Sequence, residues 1–252
     1  MISTFVDRVR KFITPREDQR KITCGTTNKQ VRDCWIREVL NIIPPGSRIL
    51  DAGAGEQQYK HYCSHLNYVS QDFGRYDGKG DNTALQTDSW NQGIIDIISD
   101  ITSIPEPDAS FDAVMCTEVL EHLPDPVVAL KEFKRLLKQG GLIIITAPFC
   151  SLTHYSPFHF STGFNRYFYI HWLDKFGFTI LEIKPNGNYF EYLGQELRRI
   201  DSVASRYLDK MLYKKERRAV RTLLGALDRM SQSDTQSQEI LCFGYHILAR
   251  KD

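Results

Sequence analysis

The stretch Arg48-Ile49-Leu50-Asp51-Ala52-Gly53-Ala54-Gly55 constrains the chain more than any other, because an apolar run of strand type stops on a carboxylate and opens into two spaced glycines. Gly53 and Gly55 permit backbone conformations and close approaches that a Cβ would block. An α/β sheet binds its ligands beyond the carboxyl ends of its strands. Three more acids stand near strand ends along the chain: Asp72 after Tyr68–Gln71, Asp100 after Asp96–Ser99 and Glu118 after Ala113–Thr117. Carboxylates delivered repeatedly to strand ends describe a ligand site.

Strand and helix signals alternate in the manner of a largely parallel sheet covered on both faces. Strands are expected at Arg48–Asp51, Tyr68–Asp72, Ile94–Ser99, Phe111–Cys116, Leu142–Thr146, Phe178–Ile183 and Gly244–Ala249. An amphipathic helix is expected over Asn28–Asn41, closed by Pro44-Pro45-Gly46. Another starts at Pro126, places Leu130, Phe133 and Leu137 on one side and stops at Gly140-Gly141. Together these predict an α/β fold with a doubly wound, mostly parallel seven-stranded sheet. Two segments break the alternation. Phe73–Gln92 is polar, glycine-containing and too long for an ordinary loop, which marks it as functional or mobile. Residues 187–238 form a helical insertion before the last strand, with Leu193, Leu197, Ile200, Ala204, Tyr207 and Met211 at helical spacing and a basic flank that includes Arg198, Arg206, Lys210 and Lys214.

At 252 residues and 42% hydrophobic composition, the chain can bury a full core, and one domain over 1–252 is expected, with a helical leader over about 1–45. Thirty-two basic residues against 31 acidic ones leave no global field to recruit nucleic acid. Any basic surface is local, and the insertion leaves contact with a membrane surface open. The longest apolar run, Leu142–Ile145, falls far short of the roughly 18 residues of a spanning helix, so a cytoplasmic protein is expected. Six cysteines lack both a CxxC pair and Cys/His metal spacing, which favours reduced, buried thiols.

These residues resemble the class I S-adenosylmethionine-dependent methyltransferases, in the branch of small-molecule and sugar methyltransferases. The resemblance covers about residues 30–185 and the last strand. It rests on Ile49–Gly55, Asp72, the pair Asp100-Ile101, Phe111-Asp112-Ala113-Val114 leading to Glu118-Val119-Leu120-Glu121-His122-Leu123, and Leu136–Gly141 before the fifth strand. It implies a Rossmann-like fold and S-adenosyl-L-methionine as cofactor. That ligand carries a ribose diol, an adenine and a zwitterionic methionine but no phosphate. The cofactor residues it implies are Asp51, Ala52, Gly53, Gly55, Asp72, Asp100, Ile101, Cys116 and Thr117, with Asp72 on the diol, Asp100 and Ile101 at the adenine, and Asp51 ordering the loop near the methionine ammonium. Glu56-Gln57-Gln58 stands where a third glycine is frequent, which bears on loop geometry and also argues against a nicotinamide dehydrogenase, the reading that the Asp51-to-Asp72 spacing would otherwise allow.

The family builds its acceptor site after the fifth strand, where Phe149–Phe160 is rich in aromatics and histidines. Histidine is the natural base near pH 7 for a weak hydroxyl nucleophile. His122, His154 and His159 are the catalytic candidates, with Tyr155 and Arg166 orienting the acceptor. Glu118, Glu121 and His122, with His159 downstream, also resemble the ligand set of relatives that use a divalent ion, an alternative to a metal-free site. The implied reaction is O-methylation of a sugar or other polyhydroxylated metabolite, small or nucleotide-linked. N-methylation of an amino sugar or amine, and a non-catalytic cofactor-binding module, are the alternatives.

Overall fold

The computed structural model describes residues 22–252, so the part of the expected leader before Ile22 lies outside the described residues. Helix α1 spans Asn28–Asn41, as its periodicity demands, and buries Trp35, Ile36, Val39 and Leu40. Seven strands follow: β1 Arg48–Ala52, β2 Asn67–Asp72, β3 Ile97–Ile98, β4 Phe111–Thr117, β5 Leu137–Pro148, β6 Phe178–Asn186 and β7 Gly244–Lys251. Between them lie α2 Pro126–Leu136, α3 Arg166–Lys175, α4 Tyr189–Tyr207 and α5 Lys214–Gln232.

The strands form one sheet in the order β3-β2-β1-β4-β5-β7-β6. All pairings are parallel except those of β7, which runs antiparallel to both β5 and β6. The alternation of side chains along a strand divides the core in two. Ile49, Ala113, Met115, Ile144 and Leu248 pack under α1, whereas Leu50, Val114, Cys116, Ile143, Ile145 and Ile247 pack with Phe133 of α2 and Tyr169 of α3. Burial on both faces explains why β1, β4 and β5 read as apolar runs.

Two boundaries differ from expectation. The strand expected at Ile94–Ser99 shrinks to two residues, because it is an edge that pairs only through Ile97 and Ile98 and leaves Ile94 in solvent. Helix α2 is capped by the Asp125 carboxylate, which accepts from the amides of Val127 and Val128, but it ends at Leu136; Leu137 already pairs with Phe111, ahead of the two glycines.

The insertion is a helical hairpin, α4 against α5. Residues 22–27 are tied into it: Asp228 Oδ1 accepts from the amide of Cys24 (2.9 Å), Glu191 Oε2 from that of Gly25 (2.8 Å), and Arg198 donates to the carbonyls of Cys24 and Ile22. Part of the expected basic flank is therefore structural.

The strand order reverses between β1 and β4, whose carboxyl ends part around a crevice. Asp51, Thr117 and Glu118 sit at its edge.

Candidate active site

A cavity of about 890 Å³ opens at that crevice, and Asp51, Gly53, Gly55, Asp72, Asp100 and Thr117 line one side of it. Gly53 and Gly55 have φ of +75° and +51°. A Cβ on Gly53 would lie 2.6 Å from the side chain of Val119, and one on Gly55 would press on Trp90 at 3.0 Å, so both glycines answer a steric demand as well as a conformational one. The turn is fixed from β2: the amides of Gly53 and Ala54 donate to the Gln71 carbonyl, and that of Gly55 to Asp72 Oδ2 at 2.9 Å. Asp72 Oδ1 accepts from the amide of Gly74 at 2.8 Å, so this carboxylate clamps two loops. A carboxylate accepts about four hydrogen bonds, which leaves capacity for a diol.

Asp51 is 2% exposed and accepts from the Tyr68 hydroxyl at 2.6 Å. Burial pushes its carboxyl up to about 7, a rise that the Tyr68 hydrogen bond opposes and the charge of Asp72 reinforces. Asp100 behaves oppositely. Its Oδ1 accepts from the hydroxyl and amide of Thr102, which holds it below the usual carboxylate range and turns Oδ2 away from that turn.

The structure brings Asp51, Gly53, Gly55, Asp72, Asp100, Ile101 and Thr117 to one cavity and excludes two of the expected residues. Ala52 and Cys116 are fully buried and point into the core below the sheet, because strand alternation sends the neighbours of Asp51 and Thr117 to the opposite face.

The opposite wall comes from the β4–α2 turn and the segment after β5. Pro124 stops helix formation, so Leu120–His122 is one 3-10 turn rather than a helix with Glu118, Glu121 and His122 on a shared face. All three nonetheless line the cavity. Glu118, with φ of +54°, turns toward α1: its Oε2 meets Arg32 Nη1 at 2.7 Å, and its Oε1 accepts from Thr146 at 2.9 Å. Glu121 is 1% exposed, and burial, reinforced by Glu118, lifts its carboxyl well above the ordinary range.

His122 sets Nδ1 against the Phe158 carbonyl and His154 sets Nδ1 against that of Leu152, which assigns the proton of each neutral ring to Nδ1 and leaves Nε2 as an acceptor. Burial, with His154 beside it, pushes His122 down to about 3, and burial lowers His154 as well. One ligand atom from each of Glu121, His122 and His154 lies within 4.8 Å of the others. Glu121 Oε2 and His122 Nε2 are buried without hydrogen-bond partners. His159 stands behind this group. Its ring is 4.9 Å from that of His154, but its Nε2 meets the Ser151 hydroxyl at 3.2 Å, and the residue does not line the cavity.

Tyr155 lines the cavity, stacked on His122. Arg166 does not: its guanidinium pairs with Glu239 at 2.9 Å and lies over the Tyr167 ring.

Several lining residues carry no motif. Arg32 comes from α1, and Gln195 and Arg199 reach in from the insertion. Tyr76 and Trp90 come from the long loop after β2. Tyr76 packs between Trp90 (5.1 Å between ring centres) and Tyr155 (4.7 Å). This loop is stitched to the segment after β5: Ser156 donates to Asp81 Oδ1 at 2.6 Å, Leu85 pairs with His154, and Gly80 approaches the Ser156 carbonyl so closely that a Cβ would collide with it. A sequence signal for the loop existed in its length and glycines, but none for its aromatic roof.

Residues 50–145 match the family described as a methyltransferase domain. A ubiquinone biosynthesis O-methyltransferase of Xanthomonas oryzae pv. oryzae is 37% identical over 67 residues, 27% of this chain and 26% of that protein. A demethylmenaquinone methyltransferase of Renibacterium salmoninarum is 33% identical over 116 residues, 44% of this chain and 46% of that one. The chain thus spans about a quarter of the first relative's length and under half of the second's. Among solved structures, an S-adenosylmethionine-dependent methyltransferase from Archaeoglobus fulgidus superposes with a TM-score of 0.53 at 18% identity, covering 88% of this chain and 94% of that one. A putative sarcosine dimethylglycine methyltransferase from Galdieria sulphuraria gives 0.52 at 14%, covering 93% and 89%. The [4+2]-cyclase SpnF, at 0.53 and 18% identity over 92% of this chain and 84% of its own, shares the fold as well. Such likeness fixes architecture rather than reaction.

Proposed function

We propose that this chain, which carries a class I S-adenosylmethionine-dependent methyltransferase domain, binds S-adenosyl-L-methionine along its acidic wall and methylates a hydroxyl of a small acceptor held against the histidine wall. The observation that carries the reading is the shared cavity: Asp51, Asp72 and Asp100 face one space, and Glu121, His122 and His154 face it from the other side. The acids match the cofactor in kind and order. Asp72 has lone pairs left for a ribose diol, Asp100 and Ile101 flank the place of an adenine, and the Asp51 carboxylate with the Arg32 guanidinium offers opposite charges to a methionine zwitterion. The Rossmann-type dehydrogenase alternative loses support, since its third glycine is absent and the methyltransferase family matches here.

When bound, the cofactor supplies an electrophilic methyl group. The chain's own residues do the remaining work. His154 presents an unprotonated Nε2 to the cavity, placed to take the proton of an acceptor hydroxyl as that oxygen attacks. Tyr155, Tyr76 and Trp90 exclude water and fix the acceptor's plane. The donor set of Glu121, His122 and His154, with its unpartnered buried atoms, equally fits a divalent ion, which would acidify the same hydroxyl.

The acceptor wall favours a flat, aromatic hydroxyl compound over the sugar expected from sequence. Phe73, Tyr76, Trp90, Tyr155, Phe158 and Phe160 line the cavity, a set of rings suited to a flat acceptor. The partial relatives that bear the name ubiquinone biosynthesis O-methyltransferase point the same way. The test is calorimetry with S-adenosylmethionine and S-adenosylhomocysteine, then mass-spectrometric detection of methyl transfer to catechols and phenols beside polyols, nucleotide sugars and amines. Absence of cofactor binding would sink the reading. Binding without transfer to any acceptor would favour a module, and transfer to amines alone would favour N-methylation.

A further inference from the structure

We propose that the α4–α5 turn is a docking surface for an anionic lipid bilayer. The chain carries a formal charge of +1, yet residues 206–221 hold seven Lys and Arg against two acids. Some of these cations are committed within the fold: Arg206 donates to the Ala84 carbonyl and Arg217 pairs with Asp201 at 3.1 Å. Lys210, Lys214, Lys215, Arg218 and Arg221 are exposed and make no ion pair or side-chain hydrogen bond among the described residues. Set between them are large apolar side chains in solvent. Tyr207 is 65% exposed, Leu208 63%, Tyr213 60% and Met211 42%. Four such residues within seven positions form a cluster that burial against the fold does not explain.

Each component has a counterpart in a bilayer interface. Tyrosine rings settle at the headgroup level, aliphatic side chains enter the acyl boundary, and a flanking basic rim meets anionic headgroups. An acidic protein partner would satisfy the lysines but leave the apolar cluster wet, whereas a lipid surface satisfies both. The hairpin that carries the cluster also reaches the cavity: Arg199, two turns before Tyr207 on α4, lines it, and Arg206 holds the loop that roofs it. Docking through this turn would set the cavity's roof close to the lipid.

Co-sedimentation of the full chain with phosphatidylcholine vesicles, with and without phosphatidylglycerol, tests this. Binding is expected to the anionic vesicles and to fall as salt rises from 50 to 500 mM, conditions of the assay that screen exposed charge. At about 1 kcal/mol per cation near the surface, Lys214→Gln/Lys215→Gln/Arg218→Gln should lower partitioning roughly a hundredfold at low salt. Tyr207→Ser/Leu208→Ser should weaken binding at all salt concentrations. Thermal unfolding with and without S-adenosylhomocysteine verifies that each variant is folded, and a variant that fails this is replaced by the single Lys214→Gln. Wild-type protein that ignores anionic vesicles, as it would if residues 1–21 covered the turn, overturns the proposal. So does binding that both variant sets leave unchanged. Neither result bears on cofactor binding, which is read separately.

Discussion

Arg32 on α1 meets Glu118 at the end of β4, with 2.7 Å between Nη1 and Oε2, so that an ion pair forms part of the cavity lining at the crevice. The arginine side chain is 15% exposed and the glutamate 34%. Removing one partner leaves the other in a poorly hydrated place. Arg32→Ala is expected to cost about 1–3 kcal/mol of stability, less than a fully buried pair because Glu118 retains some water. It should also weaken S-adenosylmethionine binding. Urea unfolding and calorimetry on Arg32→Ala, Glu118→Gln and the double variant would show whether the two effects share one coupling.

Asp72 holds two loops, and the proposed function gives it a diol as well. Asp72→Ala should weaken cofactor binding roughly 10- to 100-fold, as the loss of charge-assisted hydrogen bonds implies, and should loosen the turn at Gly55. Calorimetry reads the first effect and amide exchange of Gly55 and Gly74 the second. Unchanged affinity would place the ribose elsewhere.

The carboxyl of Asp51 titrates near 7 because it is buried, while in the unfolded chain it titrates near 3.8. Below both values the folded and unfolded states are equally protonated, so burial of this group is neutral. As pH rises between them the unfolded state ionises first, and stability falls until the folded group also ionises near 7. Asp51→Asn should therefore raise stability at pH 8, on the order of 2 kcal/mol, and much less at pH 4. The same ionisation favours a cationic ammonium, so cofactor affinity of the unaltered chain should climb through pH 7, and that climb should vanish in Asp51→Asn. Thermal unfolding and calorimetry across pH 5–9 test both signs.

Much of this was legible in the linear chain and some was not. The apolar runs of β1, β4 and β5 announce themselves because both faces of a central strand are buried, and the acids that end them stand out against those runs. Ala52 and Cys116 belong to the motif strip, but a period of two puts the side chain of each on the other face of the sheet from its charged or polar neighbour. Arg166 stands close to the aromatic segment in sequence, whereas helix α3 turns it toward Glu239. Arg32, Tyr76, Trp90 and Arg199 were out of reach for a different reason. Each arrives from a separate element, and only the folded path of the long loop and the insertion brings them together. That His154 rather than His159 stands beside Glu121 depends on the irregular path of the chain after β5, where Tyr155 has φ of +54°, and no spacing rule encodes that path.

The histidines separate by what they face. His154→Ala should lower turnover roughly 10²- to 10⁴-fold while leaving cofactor affinity as it was. His159→Ala, behind the cavity wall and bonded to Ser151, should cost far less. Equal losses in kcat would place His159 at the acceptor.

Glu121 Oε2 and His122 Nε2 are buried without partners, an arrangement that is expensive unless a proton or an ion occupies it. Prolonged treatment with chelator is therefore expected to slow methyl transfer, with recovery on adding Mg²⁺ or Zn²⁺ and no change in cofactor affinity. Full turnover after chelation would leave proton transfer to His154 alone.

Trp90 lies over Gly55, and the loop that carries it is sewn to the acceptor segment through Asp81, Ser156 and the Gly80 backbone. The two halves of the cavity thus share a single ceiling, and on the proposed reading a nucleoside leaving from beneath Trp90 would disturb the panel above the acceptor. Exchange of one ligand would then be an event felt by the other.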